Sequence, residues 1–486
     1  MKISLKQTRL GLLNSTTRIP FRYGKACLTK CPQATMQVSI ESGGQIVDGY
    51  SGDCLPPSWF DKSPGKSFSQ QIDDMLAVIK LAEKTFAEEL LSETDFFPAF
   101  MIAYERVHSR TAEAQLTPLL ASFGVSMVER ALLDAMCRAR GVSFFNAVRA
   151  NLFGIVPEDI HTTLAGIDLA ECLPASPTDH VFVRHTVGLG DPLTAADIPD
   201  GERLNDGFPQ ALEEYIQQTG LRYFKIKVSN QLDHDMERLR QIAKLVERQH
   251  GGDYKVTLDG NEQYKSANDF QTLIESIRST AELQTMWANT ICIEQPLERS
   301  IALSTEHTGG IRELAAQKAV IIDESDGTLD SYSQAIEVGY RGVSSKSCKG
   351  PIKSLLNACL TWLHNDRGQR NEYLMTGEDL CTVGIVPVQS DLCLTTTIGL
   401  THVERNGHHY HPGLSYLPKP QQSVALDKHG DFYTQRSGIV APNLTDGRFR
   451  TGSLQCVGFG FDVQPDMDSM QSSDEWEFAS LGLDEA

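Results

Sequence analysis

Five short apolar runs between residues 221 and 349 each carry at or next to their ends a charged residue of a kind that metal-assisted carbanion chemistry needs. Asp259, Glu294 and Asp323 each follow three or more mostly apolar residues, so each places a carboxylate at a strand end, where three hard oxygen donors can share one Mg²⁺. Any one of them alone could be a helix cap. Three in succession, preceded by Lys225 and Lys227 and followed by Lys346, form a far more specific arrangement. Lys225 and Lys227 stand two apart on a strand, so both side chains point to the same side. Lys-x-Lys by itself is common on solvated strand edges. Two ammonium groups held that close are expected to lower each other's pKa, which makes one of them a usable base near neutral pH. Asn261 is expected to hydrogen-bond a ligating carboxylate from the second layer. Glu324, next to Asp323, should point to the opposite side of its strand and is the weaker ligand candidate.

The elements that must hold these residues are βα units. Successive candidates Lys227, Asp259, Glu294, Asp323 and Lys346 lie 32, 35, 29 and 23 residues apart, about one βα unit each. Between them Leu232, Met236, Leu239, Ile242, Ala243 and Val246 recur at helical spacing until Gly251-Gly252. Ser266 opens a second helix as a capping box with Asp269, and Pro351 suits the first turn of another. An eight-stranded parallel barrel is favoured over an open sheet, because barrel chemistry sits at the carboxyl ends of several different strands. No glycine-rich phosphate turn follows any of these strands, and Gly188-Leu189-Gly190-Asp191 alone is too weak to signal a dinucleotide.

With 486 residues, the chain is longer than a single core usually allows, so additional domains are expected. Residues 1–154 read as an α+β domain: alternating apolar residues at 36–41, a Gly43-Gly44 turn, then helical runs from Phe68 and from Ser126. Residues 155–410 hold the barrel, with one strand candidate near Val181 among prolines. Residues 411–486 are expected to pack on the front domain and to end in an acidic tail, disordered after Phe461. A formal charge of −19 argues against nucleic acid or an anionic membrane as the main partner. No long uncharged apolar span is present, so a cytoplasmic protein is expected. The eleven scattered cysteines read as free thiols, and His408, His409 and His411 lack the companions of a second metal site.

The set Lys225-Ile226-Lys227, Asp259-Gly260-Asn261, Glu294-Gln295-Pro296, Asp323-Glu324-Ser325 and Ser345-Lys346 resembles the enolase superfamily, in its mandelate racemase/muconate lactonizing enzyme family and the muconate-lactonizing-like branch. Residues 19–22 and 126–134 resemble that family's capping-domain patterns more weakly. The resemblance implies a modified TIM barrel, (β/α)₇β, with an N-terminal α+β capping domain. It implies Mg²⁺ on Asp259, Glu294 and Asp323, and Lys227 and Lys346 as acid/base groups on opposite faces of the substrate, with Lys225 assisting. The implied reaction removes a proton α to the carboxylate of a small substrate, leading to epimerisation, cycloisomerisation or dehydration by a lyase or isomerase. Residues 372–379 contain no His, which disfavours a racemase-like His base, and the glycine-rich turn usual after the last Lys is replaced by Ser347-Cys348-Lys349-Gly350-Pro351. Residues 22–30 and 54–60 are the candidate specificity loops. A Schiff-base aldolase and a catalytically idle ligand-binding barrel are the alternatives, and homo-oligomerisation is left open.

Overall fold

The computed structural model describes residues 1–23, 26–306 and 309–483. Its front domain begins with an antiparallel sheet of β1 (Lys2–Tyr23), β2 (Ala26–Ser42) and β3 (Gln45–Cys54). Gly43 and Gly44, at φ of 59° and 79°, make the two-residue turn between β2 and β3 that the strand twist favours. Three helices cover the sheet: α1 (Phe68–Glu89), α2 (Phe96–Glu113) and α3 (Pro118–Arg140). α3 crosses β3 so closely that a Cβ on Gly49 would lie 2.3 Å from the Ala131 carbonyl oxygen. It starts eight residues before the run read from Ser126. Every residue from Leu119 to Cys137 is buried, so no polar stripe marks where the helix begins.

The second domain is a closed barrel of eight parallel strands. They are His180–Val187, Tyr223–Lys227, Lys255–Asp259, Thr290–Glu294, Ala319–Ile322, Gly342–Ser345, Leu374–Gly377 and His402–Glu404. The eighth closes on the first through the pairs His402 with Phe182, Val403 with Val183 and Glu404 with Arg184. Helices follow the strands, among them Leu232–His250, Ala267–Ser279 and Pro351–Gly368. The architecture is a (β/α)₇β barrel under an N-terminal α+β cap. Because the strands are parallel, their carboxyl ends open at one mouth, and the cap loop at residues 55–66 reaches that mouth.

A further strand, Arg448–Arg450, pairs antiparallel with the first barrel strand. The acidic segment after Phe461, expected to be disordered, is instead ordered over residues 462–483, and 484–486 lie outside the described residues. Gln471 and Ser472 pair with Leu12 and Gly11 of β1, the Trp476 indole donates to Asn14 at 3.0 Å, and Phe478 and Leu481 are buried. The apolar residues between the acids dock on the cap, while Asp468 and Asp474 pair with Arg9 and Lys80. Among the described residues no helix is long and apolar enough to cross a membrane. All eleven cysteines are free thiols, most of them buried.

Candidate active site

The charged strand ends meet at the mouth in two layers. The deeper layer is centred on Lys225. Its Nζ lies 2.5 Å from Glu378, 2.7 Å from Glu294, 2.9 Å from Glu404 and 3.2 Å from Asp259. Arg184, from the first strand, donates to the other oxygen of Glu378 and to the Gly377 carbonyl, and Thr186 donates to Glu404. All of these groups are buried. Barrel interiors are ordinarily filled by branched apolar side chains, so this charged layer survives only because Lys225 is surrounded by carboxylates and Arg184 is paired with Glu378.

The surroundings overturn one expectation. Burial disfavours the Lys225 ammonium, but Asp259, Glu294 and Glu404 outweigh it and hold its pKa well above the ordinary lysine value. Proximity to Lys227 therefore does not make Lys225 a base near neutral pH. Lys227, two residues on, pairs with Asp259 at 2.5 Å, and its side chain is 20% exposed against 2% for Lys225. Of the two, only Lys227 reaches open space.

The other carboxylates divide the same way. Burial pushes Asp259 up, but Lys225 and Lys227 hold it below the ordinary carboxylate range. Asp323 is held well below that range against its burial, by Lys346 and then Lys349. Both of its oxygens lie 2.6 Å from Lys346 Nζ, and Lys349 Nζ is 2.9 Å from Oδ1. Glu294 is pushed up to about 7 by burial, which Lys225 only partly offsets. Its Oε2 is buried and has no hydrogen-bond partner among the described residues. Lys225 thus brackets Asp259 and Glu294, whereas Asp323 is turned to Lys346. Among the described residues no three His, Cys, Asp or Glu side chains are gathered into a metal cage.

The upper layer ties the barrel to the cap. Asn261 donates to Glu324 at 2.8 Å, and its backbone N–H donates to Asp259 at 2.7 Å, so the two second-layer candidates meet. Asn261, Glu262 and Gln295 have φ of 42°, 67° and 32°, a left-handed conformation unusual for residues with side chains and one that concentrates at functional sites. The Gln295 amide accepts from the Asp323 N–H at 2.7 Å and donates to Leu297 and Ser325, which fixes the end of the fifth strand against the fourth. Glu262 pairs with Lys62 of the cap and with Arg299, which donates to the Trp59 and Phe60 carbonyls at 2.9 and 3.0 Å. The Trp59 ring centroid lies 4.9 Å from Lys346 Nζ. Of the two candidate specificity loops, 54–60 is thereby held at the mouth, while residues 24–25 of the other lie outside the described residues.

Glu378, Glu404, Arg184 and Lys349 are site residues that strand-end patterns do not single out. Glu378 follows Gly377 in a strand of four residues, and Glu404 ends a strand of three, too short for an alternating or apolar signal. His408 and His409 lie outside the mouth, packed with His185 and Tyr215. Burial holds His185 down at about 4 and His409 well below its ordinary value.

Residues 208–348 match the family model "Enolase C-terminal domain-like". No curated protein matches the chain. Among solved structures, a mandelate racemase/muconate lactonizing protein from Herpetosiphon aurantiacus is similar at 15% identity over 95% of this chain and 99% of its own, with a TM-score of 0.59. A muconate lactonizing enzyme from Pseudomonas fluorescens, complexed with muconolactone, is similar at 15% identity, 96% and 98% coverage, and a TM-score of 0.55. A dipeptide epimerase from Enterococcus faecalis V583, complexed with Mg and the dipeptide L-Leu-L-Tyr, is similar at 14% identity, 95% and 99% coverage, and a TM-score of 0.57. By the residues matched and by the fold of its two domains, the barrel of this chain is similar to those of the enolase superfamily.

Proposed function

We propose that the protein is a Mg²⁺-dependent lyase or isomerase of the muconate-lactonizing-like branch, which removes a proton α to the carboxylate of a small substrate. The observation that carries this reading is the placement of Asp259, Glu294 and Asp323 at the ends of three neighbouring strands, with Lys227 on the second strand and Lys346 after the sixth. The donor set fits the metal. Three carboxylates offer hard oxygens, and the buried Glu294 Oε2 lacks a partner that a cation would supply. Asp259, Glu294 and Asp323 would hold the ion, with Asn261 and Glu324 behind them. When bound, Mg²⁺ supplies positive charge beside the oxygens on which the enediolate develops.

The chain's own groups do the rest. Lys227, partly exposed and paired with Asp259, takes the α proton on one face. Lys346 faces the other side of the mouth. Burial disfavours its charge, but Asp323 outweighs this and raises its pKa, so it enters as an acid or as a cation beside the enediolate. Lys225 stays charged and fixes Glu294, Glu378 and Glu404 in place. Epimerisation, cycloisomerisation and dehydration share the first step and differ in the fate of the enediolate. The substrate is a small carboxylate; nucleic acid and membranes are not partners in this reading, and the protein is cytoplasmic.

Deuterium incorporation from D₂O into a panel of carboxylates, with and without Mg²⁺, tests the shared step. Exchange that requires Mg²⁺ is expected, and an Asp259→Asn, Glu294→Gln variant should lose both exchange and Mg²⁺ binding. Undiminished metal binding by that variant would sink the assignment. A second reading, an idle barrel that binds a ligand, is favoured by one observation: each of the three carboxylates already has a lysine partner. Absence of exchange across the panel despite Mg²⁺ binding would support it.

A further inference from the structure

The geometry points to Lys349 as a positioning residue that claims one oxygen of Asp323 and leaves the other as the only one open to a cation, an inference that rests on the Mg²⁺ reading above. Asp323 Oδ1 accepts from Ser344 Oγ at 2.5 Å and from Lys346 Nζ at 2.6 Å, and it is ion-paired with Lys349 Nζ at 2.9 Å. Among the described residues Oδ2 accepts only from Lys346 Nζ, at 2.6 Å. The two lysines differ in how they are held. Lys346 Nζ makes its hydrogen bonds to this carboxylate alone, with the Trp59 ring on one side and Glu378 at 3.9 Å. It can swing off and free Oδ2.

Lys349 cannot do the same. Its ammonium donates its three protons to the Asp323 backbone carbonyl at 2.8 Å, to Ser344 Oγ at 2.8 Å and to the Ser344 carbonyl at 3.2 Å, and it is ion-paired with Asp323 Oδ1 at 2.9 Å. Its side chain is 1% exposed, and the Ser347–Lys349 turn that carries it runs directly into the helix Pro351–Gly368. Moving it would strand a buried charge and take a donor from the Asp323 and Ser344 carbonyls, which is costly. Lys349 therefore stays when Lys346 leaves. Asp323 becomes a one-oxygen ligand, and the site keeps a fixed positive charge that weakens its hold on any cation.

Calorimetric titration with Mg²⁺ at constant ionic strength tests this on the whole protein. Lys349→Met, which frees Oδ1 and removes the charge, should bind Mg²⁺ at least about tenfold more tightly than wild type, while Lys349→Arg, which keeps the charge, should stay within about threefold. Unchanged or weaker binding by a folded Lys349→Met overturns the inference. Should that variant not fold, a crystal structure of the wild-type protein grown with Mg²⁺ decides. Coordination through Oδ2 alone, with Lys349 still on Oδ1, supports the inference; coordination through Oδ1 or through both oxygens overturns it. Wild-type protein that takes up no Mg²⁺ in either experiment overturns the metal reading itself, a failure distinct from the others.

Discussion

The deep and upper layers of the barrel mouth use the same residue types to opposite ends. In the deep layer Lys225 and Arg184 are shared among Glu294, Glu378, Glu404 and Asp259, with no side chain open to solvent. In the upper layer Lys227, Lys62 and Arg299 each keep part of the side chain exposed; Lys62 reaches down from the cap and Arg299 reaches up to it. A buried, multiply paired charge is an expensive fixed dipole whose removal strands its partners. A partly exposed charge with one partner can move, exchange protons and meet a ligand. Residues two apart on one strand, Lys225 and Lys227, thus sit in different surroundings, and in the proposed function one sets the field and the other works in it.

The comparison breaks most sharply at the working lysines. Lys227→Ala and Lys346→Ala should each lower deuterium exchange by about 10²- to 10⁴-fold, the usual worth of a positioned acid or base; urea stability should hold in Lys227→Ala and fall in Lys346→Ala, whose lysine is buried against Asp323. If the enzyme is an epimerase, each variant should block exchange from one enantiomer and spare the other; arginine at either position keeps the charge and should not restore turnover. Full turnover in both Arg variants would end the lysine assignment.

In the deep layer the prediction inverts, because Lys225→Met leaves buried carboxylates without a cation. It should cost about 3–5 kcal/mol of folding stability in urea titrations, and adding Glu378→Gln should recover part of the loss. A Lys225→Met protein as stable as wild type would show that the layer is not a closed charge system.

A smaller effect is expected at the link between layers. Arg299→Ala removes the donors that hold the Trp59 and Phe60 carbonyls, and it should raise KM by roughly tenfold while kcat changes less than about threefold. Equal losses in both constants would mean that the cap loop acts on the chemistry.

Acid provides the mildest probe, and it acts outside the mouth. Burial holds His185 and His411 down at about 4, and His408 and His409 well below their ordinary value. A depressed folded-state pKa means that the unfolded chain binds protons first as the pH falls. Their contribution to stability is therefore complete above pH ~6.5 and lost progressively toward pH 4. His411→Phe should flatten that slope in denaturant titrations between pH 7 and 4.5, and an unchanged slope would remove His411 from the effect.

Most of this arrangement was open to reading before any fold was known, and its limits have physical causes. The strands ending at Lys227, Asp259 and Glu294 announce themselves because an apolar run must be buried while its last residue reaches the mouth. The eight-strand count and the cap follow from βα spacing and from the glycine turn of β2 and β3. Two kinds of residue stayed hidden. Glu378 and Glu404 end strands too short to carry a pattern, and Arg184 lies inside its strand, where nothing local reveals that a glutamate 194 positions later will neutralise it. Whether Lys225 is base or counter-ion was equally illegible, since it depends on three carboxylates from three other strands. The acidic tail misled for the converse reason: composition averages over Trp476, Phe478 and Leu481, which dock one by one.

That tail bears on how the cap is made. Asn14 and Trp476 touch across 462 residues of chain, and Lys30 donates to the Leu481 carbonyl at 2.6 Å, at the root of the hairpin that leads toward the mouth. Part of the outer edge of β1 is therefore an unpaired strand until a ribosome has delivered the barrel and the segment beyond it. An edge left open that long is a template for the wrong partner. Chains that stall or are clipped before residue 471 should be recovered as aggregates joined through their first strand, even though every charged residue at the barrel mouth has already been synthesised.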